Sequence, residues 1–245
     1  MKLDILAIGA HPDDVELGCS GTLIIEIRNG KKVGVIDLTE GELGSRGTAE
    51  TRYQESANAA RVMGIHVREN LKMADGFFQN NETNQRKLIV AIRKYQPEIV
   101  IANSLDDRHP DHGKAARLIS DACFLSGLLK VETEDPSGNK QEAWRPKYIF
   151  HYIQDRYHEP DFIVDISDVF EQRMEAVKAY TTQFYNPDNE DDGPQTYIST
   201  PDFLESVVAR ARMIGKKIGV KYAEGYNTQK SIGIRNLDAL VQVET

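Results

Sequence analysis

The sequence predicts an α/β fold built on a doubly wound, mostly parallel sheet with helices on both faces, and three observations carry that prediction. Continuous apolar runs at residues 3–9, 33–38 and 99–102 have the length and the valine and isoleucine content of strands buried on both faces. Segments with apolar residues at helical spacing lie between them. Capping and stopping residues fall where one pattern gives way to the other. Strands alternating with helices in this way make a sheet whose crossovers cover both faces.

The elements follow in order. Residues 3–9 form the first strand. Leu23, Ile24 and Ile27 mark a helix that ends near Gly30. Residues 33–38 form a second strand. Thr48 caps a helix that runs through Ala57, Ala60 and Met63 to Gly64. Leu88, Ile89, Ile92 and Tyr95 line a third helix, stopped before Pro97 because a residue preceding proline is pushed out of the helical region. After the strand at 99–102, Ala115, Leu118, Ile119, Ala122 and Cys123 line a helix closed by Gly127.

The second half is less regular. Residues 132–142 read as an exposed loop, residues 148–153 and 162–166 as strands, and Phe170, Met174 and Val177 as a helix after Ser167. Residues 186–194 are acidic and turn-rich. Thr200-Pro201-Asp202 starts a helix with a cap, a proline in the first position and an acid in the first turn; it runs through Val207, Ala211, Ile214 and Ile218 to Gly219. No repeat or long linker divides the chain, so a single Rossmann-like α/β domain over 1–245 is expected.

Of the 245 residues, 40% are hydrophobic and 28% charged, and the net charge of -8 gives no global attraction to nucleic acid or to an anionic membrane. No apolar run is long enough for a membrane helix. The first apolar run is too short for a signal peptide and is interrupted by Asp4. Cys19 and Cys123 form no framework spacing, which points to a reducing, cytoplasmic setting.

The tripeptide His-Pro-Asp occurs twice, as His11-Pro12-Asp13 and His109-Pro110-Asp111. With 6 His and 9 Pro in the chain, chance supplies on the order of 0.02 copies. One copy alone is usually a turn, with proline fixing φ and aspartate capping a helix. Here each copy directly follows a strand, and open α/β sheets bind ligands beyond the carboxyl ends of their strands. His11, Asp14 and His112 make two imidazoles and a carboxylate, a ligand set that catalytic zinc uses while keeping a position open for water. Asp13 is then free to take a proton from that water. His109 is free to stabilise or protonate the reacting group, and Asp111 to orient His109. His66, His151 and His158 read as surface or core residues. No Gly-x-Gly-x-x-Gly turn, phosphate-binding Gly-Lys-Ser/Thr loop or Gly-x-Ser-x-Gly elbow is present, which argues against dinucleotide, nucleotide-triphosphate and serine-hydrolase chemistry.

Ala10-His11-Pro12-Asp13-Asp14 and His109-Pro110-Asp111-His112, with Glu42-Leu43-Gly44, Arg52, Glu55 and Met63-Gly64 between them, resemble the signatures of the LmbE/PIG-L de-N-acetylases. The resemblance implies that His11, Asp14 and His112 hold one zinc ion per chain. It implies Asp13 as general base, His109 as the residue that stabilises the intermediate or protonates the amine, and Asp111 as its partner. With Arg145 and Tyr222-Ala223-Glu224-Gly225-Tyr226 included, the pattern is most similar to the bacillithiol-pathway branch, which implies N-acetylglucosaminyl-L-malate as substrate and a homo-oligomer, a hexamer or trimer. A malate aglycone needs a local cation, and Arg52 and Arg145 are the candidates. Some members place a tyrosine at the oxyanion; in this region the chain offers Tyr197 and carries Phe203 near the expected place. The alternatives are another N-acetylglucosaminide, such as a chito-oligosaccharide, or a non-haem iron enzyme, since two histidines and a carboxylate also bind iron.

Overall fold

A computed structural model of the chain describes residues 1–187 and 193–240. It contains one seven-stranded sheet in the order β3-β2-β1-β4-β5-β7-β6, formed by β1 (Ile5–Gly9), β2 (Val33–Thr39), β3 (Val67–Met73), β4 (Ile99–Ala102), β5 (Tyr148–Tyr152), β6 (Phe162–Asp165) and β7 (Ala223–Thr228). The first five strands run parallel, and β7 lies antiparallel between β5 and β6. Helices α1 (Asp14–Arg28), α2 (Ala49–Met63), α3 (Glu82–Tyr95), α4 (Pro110–Ser126), α5 (Phe170–Lys178) and α6 (Pro201–Lys217) cover the sheet. The α/β class and doubly wound parallel sheet expected from the apolar runs are present.

Strand alternation divides the core in two. Ile5 and Ala7 of β1 pack with residues of α1, α2, α5 and α6 on one face; Leu6 and Ile8 pack with α3 and α4 on the other. The caps behave as the sequence indicates. Thr48 accepts from Thr51 N–H, Gly64 ends α2 at φ 78°, and Thr200 accepts from Phe203 N–H at the start of α6.

Two strands escape the sequence patterns. β3 is an edge strand of sequence VRENLKM, only half-buried along most of its length, and so lacks a continuous apolar run. β7 carries Gly225 and a buried Glu224. That carboxylate accepts from the Gly21 and Thr22 N–H groups inside α1 at 2.9 and 2.8 Å and pairs with Arg173 Nε at 3.2 Å. Arg173 Nη2 in turn donates to the Leu17 carbonyl at 2.8 Å. Leu17 O and Gly21 N–H are the groups that one turn of a regular helix joins to each other. A buried ion pair from α5 and β7 thus bonds both groups of that turn and ties α1 to the sheet. The Tyr222–Tyr226 segment therefore has a structural task.

The chain winds from β1 through β2 to β3 in one direction and from β4 to β5 in the other. β1 and β4 are neighbours, with Ile8 opposite Ala102. The crevice beyond their carboxyl ends is the topological switch point, where ligands bind in such sheets. Both His-Pro-Asp segments emerge there. The acidic 186–194 segment lies partly outside the described residues.

Candidate metal and acid–base site

The loops after β1 and β4 close on each other around Asn103. Its Oδ1 accepts from Ala10 N–H at 2.9 Å and its Nδ2 donates to Asp14 Oδ2 at 3.0 Å. Asp14, 2% exposed, begins α1. Its carboxylate also accepts from His11 N–H and Gln154 Nε2, and it meets His112 Nε2 at 3.0 Å and His11 Nδ1 at 3.5 Å. Each histidine's other nitrogen faces a carboxylate: His112 Nδ1 lies 2.7 Å from Asp107 Oδ2, and His11 Nε2 lies 3.0 Å from Asp75 Oδ1 and 3.4 Å from Asp111 Oδ2. The outer acids are themselves held. Asp107 accepts the Asp155 and Arg156 N–H groups, Asp75 accepts Leu43 N–H, and Asp111 accepts Gly76 N–H and Lys114 Nζ.

These contacts determine the charges of the protein without metal. Burial would lower the pKa of His112, but the Asp14 charge and the Asp107 bond outweigh it and raise it to about 9. His11 is raised well above its ordinary value: burial opposes the shift, and the bonds to Asp111, Asp14 and Asp75 prevail. Burial would raise Asp14, yet the His112 charge and the His11 bond hold it well below the usual carboxylate range. Two imidazoles and a carboxylate therefore converge with their outer nitrogens fixed by acids, the carboxylate–histidine arrangement that orients metal ligands. Among the described residues, His11, His109 and His112 form one group close enough to hold a metal ion, and His11, Asp75 and Asp111 another.

Asp13 caps α1 with φ 115°, in the left-handed region that a non-glycine residue rarely adopts. The strained backbone keeps its side chain from capping the helix; instead it faces the cleft and meets Arg52 Nη2 at 3.1 Å. Burial pushes the Asp13 carboxyl up to about 7 against the pull of the Arg52 charge. Arg52 also donates to the Pro12 carbonyl. Gly41, at φ 66°, leaves room for the guanidinium; a Cβ there would lie 3.2 Å from Arg52 Cζ.

His109 caps α4 through its ring: Nδ1 accepts the Asp111 N–H at 3.3 Å. Burial, together with the charges on His11 and His112, lowers its pKa. A neutral imidazole that accepts at Nδ1 carries its proton on Nε2. Asp111 does not orient the His109 ring, contrary to the sequence expectation. Its carboxylate is turned to His11, Gly76 and Lys114, because the Pro110 start of α4 aims it at the loop after β3.

A cleft of about 430 Å³ is lined by His11, Asp13, Asp14, Arg52, His109 and His112 together with Gln154, Phe203, Arg108 and Arg210. Arg145 is absent from this lining, which corrects the second arginine candidate. It precedes β5, whose Tyr148 pairs with Ile99 at the start of β4, so it stands at the sheet edge opposite the switch point. There it donates to Phe124 O and lies over the Phe124 ring. Tyr197 donates to Asp155 and lies against Arg108, while Phe203 lines the cleft. The sequence reading missed Asp75, Asp107, Asn103, Gln154 and Arg210. Asp107 stands two residues before His109, and Asp75 and Gln154 follow strands β3 and β5 at the same sheet edge.

A family model described as GlcNAc-PI de-N-acetylase, PIG-L, matches residues 6–123. The chain is 28% identical to a diacetylchitobiose deacetylase of Thermococcus kodakarensis over 90% of this chain and 81% of that one. It is 42% identical to the uncharacterized deacetylase YaiS of Escherichia coli over 53% of this chain and 73% of that one. It is also 27% identical to a probable N-acetyl-α-D-glucosaminyl L-malate deacetylase 2 of Bacillus subtilis, over 75% and 84%. Among solved structures, the conserved protein TT1542 of Thermus thermophilus matches with a TM-score of 0.83 and 36% identity, covering 95% of this chain and 98% of that one.

Proposed function

The chain belongs to the PIG-L family of de-N-acetylases and is an amidohydrolase acting on N-acetylglucosamine-containing substrates, and from that premise we propose that it works with one zinc ion held by His11, Asp14 and His112. The observation that carries this reading is the double carboxylate–histidine arrangement, in which one nitrogen of each ring meets Asp14 and the other is fixed by Asp107 or by Asp75 and Asp111. A zinc ion held by these residues would lower the pKa of a bound water toward ~7 and polarise the acetyl carbonyl.

The remaining chemistry belongs to the side chains. Asp13 takes a proton from the attacking water, and its tie to Arg52 holds it in place. His109 donates from Nε2 to the oxygen on which charge develops, a task suited to a ring whose Nδ1 is occupied by the helix cap. The proton on Asp13 then passes to the leaving amine, releasing acetate and a glucosaminide with a free amine.

We assign N-acetylglucosaminyl-L-malate as the substrate, with a chito-oligosaccharide as the alternative favoured by the likeness to the Thermococcus enzyme. A cytoplasmic, homo-oligomeric protein is part of the same proposal; the two buried free cysteines support a reducing compartment. No helix among the described residues is long and apolar enough to cross a membrane. The test is amine release from N-acetylglucosaminyl-malate, N,N'-diacetylchitobiose and free N-acetylglucosamine by zinc-loaded protein. Highest kcat/KM on the malate compound supports the assignment, and highest kcat/KM on chitobiose replaces it.

A further inference from the structure

The cleft contains a cation that the chemistry above does not use. Arg210 lies on α6 three residues after Val207 and four before Ile214, within the stripe that begins at Phe203 and packs against the core. An inward position in such a stripe is ordinarily apolar. The Arg210 side chain is partly buried and lines the cleft with His109, His112 and Phe203. Among the described residues it makes no hydrogen bond and no ion pair.

The acids within electrostatic range do not meet it. Asp107 is occupied by His112 Nδ1 and the N–H groups of Asp155 and Arg156. Asp155 takes Arg108 Nε on one oxygen and the Tyr197 hydroxyl on the other, both at 3.3 Å. Arg173, which adds like charge, is committed to Glu224 and Leu17 O. The cleft's other arginines are likewise taken: Arg52 by Asp13 and Pro12 O, and Arg108 by Asp155 and the Tyr197 ring. Holding a guanidinium away from bulk water without a partner is unfavourable, and a bidentate anion is the ligand that relieves it best.

We infer that Arg210 is the specificity-determining residue of the cleft and binds an anionic group on the aglycone of the substrate. This rests on the deacetylase reading and adds to it a residue and a charge requirement. A carboxylate and a phosphate share the required chemistry, and a neutral chito-oligosaccharide lacks it. The guanidinium leaves the acetyl-bearing sugar to the zinc, Asp13 and His109, so it acts on recognition and not on bond cleavage.

The experiment compares wild type, Arg210→Gln and Arg210→Lys on N-acetylglucosaminyl-malate, N-acetylglucosamine 1-phosphate and N,N'-diacetylchitobiose. Calorimetric binding of the two anionic compounds is measured in parallel. Wild type is expected to prefer at least one anionic substrate, and which one distinguishes a carboxylate from a phosphate. Arg210→Gln should lose roughly 10- to 150-fold in kcat/KM on it, mostly in KM, with a matching loss of binding. Activity on chitobiose should change less than about threefold, and Arg210→Lys should recover part of the loss. Equal kcat/KM on anionic and neutral substrates in wild type, or an equal fall on both in Arg210→Gln, overturns the role of Arg210 while leaving the deacetylase intact. Binding of the anionic compounds that survives Arg210→Gln overturns it as well. Absence of amine release from all three by zinc-loaded wild type instead overturns the deacetylase reading.

Discussion

Asp107 Oδ2 lies 2.7 Å from His112 Nδ1, and its other oxygen is fixed by the Asp155 and Arg156 N–H groups. The loop after β5 thereby sets the orientation of a ring that emerges after β4. Asp107→Asn should fold normally and bind zinc roughly 10- to 100-fold more weakly. Competition with a chromogenic chelator reads the affinity directly, and an unchanged value removes Asp107 from the metal site.

Arg52 and Asp13 form a second such pair. The Arg52 charge pulls the Asp13 pKa down, so its removal raises that pKa further. A base works deprotonated, and the acidic limb of kcat/KM must therefore move to higher pH in Arg52→Gln. Activity at neutral pH should drop by roughly tenfold or more. The pH profiles of the two proteins provide the check; superimposable acidic limbs contradict the coupling.

Protein without metal should show a pH-dependent stability that zinc abolishes. His112 is raised from 6.5 to about 9 when folded. The group favours folding fully below the unfolded pKa of about 6.5, and that contribution is lost as pH rises through about 9. Zinc binds the neutral ring, so the zinc-loaded protein lacks this decline and metal binding releases protons. Thermal midpoints of both forms from pH 6 to 10 test it, and parallel curves would refute the charged His112.

The buried Arg173–Glu224 pair makes a stability prediction. Arg173→Ala leaves Glu224 without its cation and Leu17 O without its donor. The loss should be about 3–5 kcal/mol in denaturant unfolding. A loss under about 1 kcal/mol would mean that this pair does not hold α1.

What could be read from the sequence follows from how each part is encoded. The inner parallel strands are buried on both faces and therefore write continuous apolar runs; edge strand β3 writes charges, and β7 hides Glu224 whose partner lies 51 residues away. The two His-Pro-Asp segments were visible because the rare residue types recur together. Their partners were not. Asp75 and Asp107 are two of 38 acidic residues, with nothing in the chain to mark them until β3 and β4 are placed side by side with β1 and β2. Arg145 was misplaced because it precedes its strand, whereas ligand-facing residues in this fold follow theirs. Arg210 had a signal, a charge inside the apolar stripe of α6, which the helical pattern alone could have flagged.

The measurement that tests the account most directly is amine release by zinc-loaded Asp13→Asn, with metal content determined on the same sample. Asparagine keeps the shape at a position that does not ligate the metal in this account, and it cannot accept the proton. The expected result is about one zinc per chain with turnover reduced by a factor of roughly 10² or more. Full zinc occupancy with near-normal turnover would contradict the assignment of Asp13 as the base and the mechanism built on it.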